Sequence, residues 1–284
     1  MCNHRDGRGI RLIVAASTAL IFLVGCSGGN TSSSSTAGTN TPASSNNTVF
    51  GPSQRLGNGN VKTYTTLDGS GNPTEVGLRL TDTALDGLPP TTTPPDVLML
   101  DFPDQASATP FDHVMLNWNP QGHDPVALFG KPHFDFHFDM VDKAAIKAVS
   151  PSDPNFVAEA DRLPEPKYLP QDYVVPPGAS AAAQAVPGMG VHLVDSSDTS
   201  LVPGSYDFKQ IIISGTWNGK YTFIEPMITR EWLLTKPTLE QQALKQPQAY
   251  QKTGYYPTNY SVRFDEQATE YVVTLAGMTR REAS

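Results

Sequence analysis

Residues 133–140 read His-Phe-Asp-Phe-His-Phe-Asp-Met, which sets His133, Asp135 and His137 at every second position with Phe134, Phe136 and Phe138 between them. Successive side chains of a β-strand leave on opposite faces, so this alternation sorts three phenyl rings onto one face and two imidazoles with a carboxylate onto the other. A helix, with its 3.6-residue period, would mix the two sets. The segment is therefore expected to be a strand that buries its aromatic face. Its second face is too rich in histidine for an ordinary solvated surface, where Thr, Lys and Glu prevail, and points instead to a metal site.

The surrounding chain has the same character. Its 25 prolines are scattered through short segments, which interrupts helices and favours many strands with long connections. "VKTYTTLDGSGNPTEVGLRLTD" predicts a hairpin of residues 61–67 with 75–80. "DVLMLDFP", "FDHVMLNWNP", "GVHLVD" and "DFKQIIISGTWNGKYTFIEPMIT" read as further strands, and "NYSVRFDEQATEYVVTLAGM" as a closing hairpin. Helix-forming stretches occur in "DMVDKAAIKAVSPSDPNFVAEADRL", a Pro-rich surface passage follows, and "TLEQQALKQPQAY" predicts one short helix. The expected fold class is mainly β: an antiparallel β-sandwich or a cupin-like barrel, with a short helical, Pro-rich insertion at about 140–186.

Asn218-Gly219 supplies the positive φ that both central positions of a type I′ turn require, so a two-residue loop sets the pairing around it. Trp217 is expected opposite Lys220, Thr216 opposite Tyr221, Ser214 opposite Phe223 and Ile212 opposite Glu225. Alternation then places Glu225 on the face of Tyr221, Phe223, Ser214 and Thr216, either aimed into a lined cavity or solvated at the strand end before Pro226.

All histidines other than His4 fall between His113 and His192. The only cysteines are Cys2 and Cys26, so a folded domain beyond them has no thiolate to offer, and a metal would be held by nitrogen and oxygen. Imidazole and carboxylate suit a divalent transition metal, Zn first, with Mn and Fe as alternatives. The candidate ligands are His133, Asp135, His137, His192 in "VPGMGVHLVD", and Glu225. His123 and Asp124, in the turn "PQGHDP", are candidates for the rim, though Asp124 also suits an Asx turn. Geometry limits the sharing: on a strand, residues i and i+2 sit ~6.6 Å apart, whereas i and i+4 sit ~13 Å apart. His133 and His137 can meet on one ion only if a bulge shortens the strand; otherwise the face supplies a two-residue pair or two separate sites.

At the N-terminus, Arg5, Arg8 and Arg11 precede the apolar run "LIVAASTALIFLVG", which is too short for a convincing membrane span and reads as a signal peptide. "LVGC" resembles the lipobox of bacterial lipoproteins, which implies cleavage after residue 25, lipidation of Cys26 and, with Ser27 next, an outer-membrane destination. The expected organisation is a lipoprotein signal at 1–25, a lipidated Cys26 with a Ser/Thr/Asn-rich tether at 26–48, and one β-rich domain at 49–284. The formal charge of −8 argues against nucleic acid as a partner. No GxSxG, Walker or dinucleotide motif occurs, so no catalytic residue is assigned.

The order HxDxH, GxGxH and a late Glu resembles the cupin arrangement, but it departs from the cupin pattern in placing Glu225 far beyond the first histidine pair. "GHDPVALFGKPHFDFHFDM", "VPGMGVHLVD" and "GTWNGKYTFIEPMIT" resemble the blocks of an uncharacterised family of bacterial exported proteins, first described through a Thermus protein controlled by an extracytoplasmic-function sigma factor. The resemblance extends over about 57–275 and implies an exported, β-rich protein and homo-oligomerisation; it assigns no residue a role. Two functions are consistent with these readings. One is a membrane-anchored enzyme or small-molecule binder in which His133, His137 and His192, with Glu225 or Asp135, hold a divalent metal with an open coordination position. The other is a non-catalytic envelope protein whose polar cluster only stabilises the fold.

Overall fold

The computed structural model describes residues 47–91 and 97–284. The expected signal peptide, Cys26 and nearly all of the tether lie outside the described residues. Four strands open the described residues: β1 (Asn47–Phe50), β2 (Gln54–Leu56), β3 (Gly59–Leu67) and β4 (Pro73–Thr81). The next eight are β5 (Val97–Asp101), β6 (His113–Asn119), β7 (His133–Asp139), β8 (Tyr173–Val174), β9 (Ala185–Val186), β10 (Gly190–Asp195), β11 (Gln210–Trp217) and β12 (Lys220–Thr229). The chain ends with β13 (Thr238–Ala243), β14 (Gly254–Tyr256), β15 (Asn259–Asp265), β16 (Glu270–Ala276) and β17 (Thr279–Arg281).

Fifteen of these strands form two large antiparallel sheets, and β14 pairs with β17 in a small third one. A seven-stranded sheet runs β1-β3-β4-β16-β15-β13, with β2 on β3; an eight-stranded sheet runs β5-β6-β7-β12-β11-β10-β8, with β9 on β10. The fold is mainly β and sandwich-like. Among the described residues neither sheet closes on itself, so the cupin-like barrel gives way to the sandwich. The hairpin of β3 with β4 and the closing hairpin of β15 with β16 form as the alternation predicts.

One large core cluster joins the sheets. Phe134, Phe136 and Phe138 of β7 lie in it with Leu116 of β6, and from the other sheet with Leu78, Val262 and Val273. The aromatic face of β7 is thus the inner face of the sandwich, and its three rings have no exposed surface. In a two-layer sandwich the opposite face would meet water. Here a third layer of irregular chain covers it: Phe129, Tyr206 and Phe208, from connections, pack with Ile213, Phe223 and Met227 on the outer face of β11 and β12. The Pro-rich insertion is more than a surface excursion. Ala160, from a short helix (Phe156–Asp161), and Ala181 pack against Val191 and Leu193 of β10, and Leu169, Tyr173 and Val175 of the Pro-rich passage pack against them.

Two local expectations are corrected. Of the segment expected to be helical, "TLEQQALKQPQAY", the first half forms the edge strand β13, paired with β15 and interrupted by a register shift between Leu239 and Gln242, and the second half is irregular. Hydrogen bonds to a sheet edge override the helix propensity of Leu, Glu, Gln and Ala. In the β11–β12 hairpin, Trp217–Lys220 and Thr216–Tyr221 pair as expected, but a bulge between Gly215 and Thr216 then shifts the register, so that Phe223 faces Gly215, Ile224 faces Ser214 and Glu225 faces Ile213. The extra residue re-aims the strand. Glu225 shares its face with Phe223 and Met227, while Tyr221 turns inward, its hydroxyl 3.3 Å from Ser214 Oγ.

Candidate metal centre

The outer face of the eight-stranded sheet can be read from the registers. Along β6 and β7, Asn119 pairs with His133, Asn117 with Asp135, Met115 with His137 and His113 with Asp139. Across to β12, Thr229 pairs with His133, Met227 with Asp135 and Phe223 with Asp139; the pairing skips Glu225 and Pro226, where proline supplies no N–H. His192 of β10 faces Gly215 of β11, whose missing side chain leaves room for the Phe223 ring. The rings of His137 and His192 pack on that phenyl ring at 4.8 and 5.1 Å.

The β6–β7 register is uninterrupted, so β7 is not shortened and the ~13 Å between residues i and i+4 keeps His133 from sharing an ion with His137. Of the alternatives left open by the spacing, two separate groups form: His123, His133 and Asp135, and His137, His192 and Glu225, with the potential ligand atoms of each group within 4.8 Å of one another. Each has two imidazoles and one carboxylate. His123 enters the first group as a member, not as rim. The exposed Asp124 contributes only its backbone carbonyl, which accepts from His123 Nδ1 at 2.8 Å.

That contact recurs and decides which nitrogen is available. His133 Nδ1 is 2.6 Å from the carbonyl of Lys131, and His192 Nδ1 is 3.2 Å from the carbonyl of Gly190. A carbonyl can only accept, so the proton sits on Nδ1, and the neutral ring presents a lone pair at Nε2, the arrangement found around metal-bound histidines. In the second group Nε2 of His137 lies 3.4 Å from Glu225 Oε1, Nε2 of His192 lies 3.6 Å from Glu225 Oε2, and the two Nε2 atoms are 3.5 Å apart. Metal–ligand bonds of about 2.0–2.2 Å place neighbouring ligand atoms of a tetrahedron about 3.3–3.6 Å apart, so these separations match its edges.

The first group is less regular. His133 Nε2 stands 3.1 Å from Asp135 Oδ1 without hydrogen-bond geometry, and His123 Nε2 is 3.6 Å from Asp135 Oδ2, which also accepts from Asn119 Nδ2 at 2.6 Å. Electrostatics separate the groups further. Burial works against ionising Asp135, but His123 and His133 outweigh it and hold its carboxyl well below the usual range. Glu225 has imidazole neighbours that burial keeps neutral, and burial, then the charges of Asp135 and Asp139, push its pKa far up. Burial lowers His137 to about 3, helped by His192, and lowers His192 to about 4. Without a metal the first group holds a carboxylate among imidazoles and the second is uncharged.

The alternation of β7 continues one step beyond the sequence-derived set. Asp139 has no exposed surface, both its oxygens lack hydrogen-bond partners, and Oδ2 lies 3.3 Å from His113 Nε2, while His113 Nδ1 meets Asp112 at 3.0 Å. Burial raises the Asp139 pKa well above the ordinary value and lowers that of His113. The signal was Asp139 itself, two residues after His137. Asn119, which holds Asp135, carried none.

Both groups open onto one cavity of about 320 Å³, where His123 and Asp135 from the first and His192 and Glu225 from the second share the wall with Phe129, Met189 and Met227. A larger hollow of about 570 Å³, lined by Tyr168, Tyr221, Tyr250 and Tyr256, touches neither group.

No curated protein and no solved structure matches the chain. Residues 68–118 match the model of the TTHB210-like family, described as hypothetical protein TTHB210, a stretch that carries β4 to β6 with His113 and Asn117 and stops short of the blocks around His133, His192 and Glu225. That match supports the resemblance to the exported family over this part of the chain.

Proposed function

We propose that this protein is an envelope metalloprotein, exported as a lipoprotein and held at the outer membrane through Cys26, whose domain holds divalent transition-metal ions in its two His/His/carboxylate groups and presents their open coordination positions to a small molecule in the shared cavity. One observation carries the reading: the two Nε2 atoms of His137 and His192 lie 3.5 Å apart, a tetrahedral edge length, and each stands within 3.4–3.6 Å of one oxygen of the Glu225 carboxylate, while His192 and Glu225 form part of the cavity wall. Three protein ligands beside a cavity are the arrangement of sites that bind or activate a ligand, whereas structural sites close with four. Zn fits the donor set, as do Mn and Fe(II). A bound ion of this kind supplies Lewis acidity toward a ligand oxygen or an acidified water. The chain itself supplies Nε2 lone pairs, fixed on His123, His133 and His192 by their Nδ1 contacts to backbone carbonyls, the two carboxylates and an apolar surround.

The second reading, a polar cluster that only stabilises the fold, draws on Glu225: kept protonated by burial, it can donate to one imidazole without any ion. Elemental analysis of the purified protein after growth with Zn, Mn and Fe separates the two. Two equivalents of metal are expected per chain, one lost in Glu225→Gln and the other in His133→Ala, with circular dichroism confirming that both variants fold. Metal-free parent protein that also fails to take up Zn or Co on titration would leave the stabilising role alone. Globomycin-sensitive processing and loss of membrane attachment in Cys26→Ser test the anchor.

A further inference from the structure

We infer that the cavity takes one small ligand carrying two anionic oxygen donors joined by a short apolar spacer, each donor meeting one of the two metal groups. The inference rests on the metal reading above and adds what the groups jointly select. Both open onto the same cavity: His123 and Asp135 line it from one, His192 and Glu225 from the other. Asp135 and His137 are one two-residue step apart on an unbroken strand, so the two centres are separated by roughly one to one and a half such steps, about 7–10 Å. A pair of ions bridged by one oxygen sits only about 3.5–4 Å apart, so these groups cannot share a hydroxide. They can share a longer ligand. Subtracting a metal–oxygen bond of about 2 Å at each end leaves donors about 3–6 Å apart, the span of roughly two to four methylenes.

The wall between them suits such a spacer. Met227 lies beside Asp135 in the register and Ile213 beside Glu225, and both line the cavity together with Val194. Among the described lining residues there is no lysine or arginine. An anionic ligand would therefore find its countercharge on the ions: each divalent cation with its single carboxylate leaves one positive charge, at two points and not in between. A monoanion would use one of them, and an apolar ligand neither.

The test uses the full-length protein loaded with Co(II), whose visible bands report ligand exchange, after the metal content has been measured. Succinate, glutarate and adipate are titrated against butyrate, valerate and caproate, each pair matched in carbon number. Joining two binding events gains up to about 10²–10⁴ in affinity when the spacer fits. At least one dicarboxylate should bind tenfold or more tightly than its monocarboxylate partner, with an optimum in length, and should perturb the bands of both ions. In His133→Ala, which keeps the second group, that advantage should vanish while monocarboxylate binding persists. Two metal equivalents with no dicarboxylate advantage would overturn the bridge and leave the metal sites standing. Fewer than two equivalents in the parent would overturn both.

Discussion

At the residue scale the chemistry turns on where protons sit when no metal is present. Burial keeps Glu225 and Asp139 protonated and His137 and His192 neutral in the folded chain, while unfolding returns the carboxyls toward 4.5 and 3.8 and the imidazoles toward 6.5. Where the unfolded chain has released its carboxyl protons and the folded chain, with both carboxyls raised by burial, still holds them, the folded state binds more protons. Stability of the metal-free protein is then expected to fall as pH rises, by about 1.4 kcal/mol per pH unit for each retained proton. Between 4.5 and 6.5 the histidines act in the opposite sense, because the unfolded state binds their protons and the folded state does not, and the two effects partly cancel. Urea denaturation of chelator-treated protein at pH 6.5 to 8 checks the slope, which should be shallower in Glu225→Gln; an identical slope would show that Glu225 is already ionised. In the same variant, metal affinity of the second group should drop by about 100-fold or more, since even outer-sphere changes cost 10–100-fold. Competition with a chromophoric chelator reads it.

At the element scale β7 joins core to site. Its inner face is three fully buried phenyl rings and its outer face the ligand row, so one strand transmits packing to geometry. Phe136→Ala should cost about 3–5 kcal/mol of folding stability by opening a cavity between the sheets. The bulge at Gly215 is the second device. A β-carbon there would clash with the Phe223 ring, which is itself buried against His137 and His192. Gly215→Ala is therefore expected to cost about 1–3 kcal/mol by overpacking and to weaken metal binding at the second group while the first, remote from Phe223, keeps its affinity. Equal weakening at both in a two-site titration would count against this local coupling. The period-two pattern of β7 and the Asn218-Gly219 turn were legible because each is encoded by adjacent residues. The bulge was not, since nothing in Tyr221-Thr222-Phe223 announces that Thr222 will go unpaired; the shift sets Phe223 over Gly215 of the neighbouring strand.

At the scale of the whole molecule, the third layer turns a solvent-facing sheet surface into a site. His133, His137, Asp139 and Glu225 would be wet in a bare sandwich, yet each is at most 1% exposed beneath the connections that carry Phe129, Phe208 and Met189. Desolvation makes the apo site costly and metal binding correspondingly stabilising. With free Zn at 100 times its dissociation constant, each site adds about 2.7 kcal/mol, which for a chain of this size corresponds to roughly 5–11 °C in the unfolding midpoint. Thermal scans with Zn and with chelator should differ by that amount per site, and Glu225→Gln should lose one site's share.

The amino-acid sequence by itself determined which segment is a two-faced strand, where its hairpin turns, and that the donors are nitrogen and oxygen, because backbone sterics, turn conformation and side-chain chemistry act over a few neighbouring residues. Only the tertiary structure decided that the donors divide into two groups, that His123 belongs to one of them, that Glu225 faces His137 and His192, and that all of this lies under a third layer. Those outcomes depend on cross-strand register and on which connection covers which face, and such contacts join residues far apart along the chain, where no local periodicity reaches.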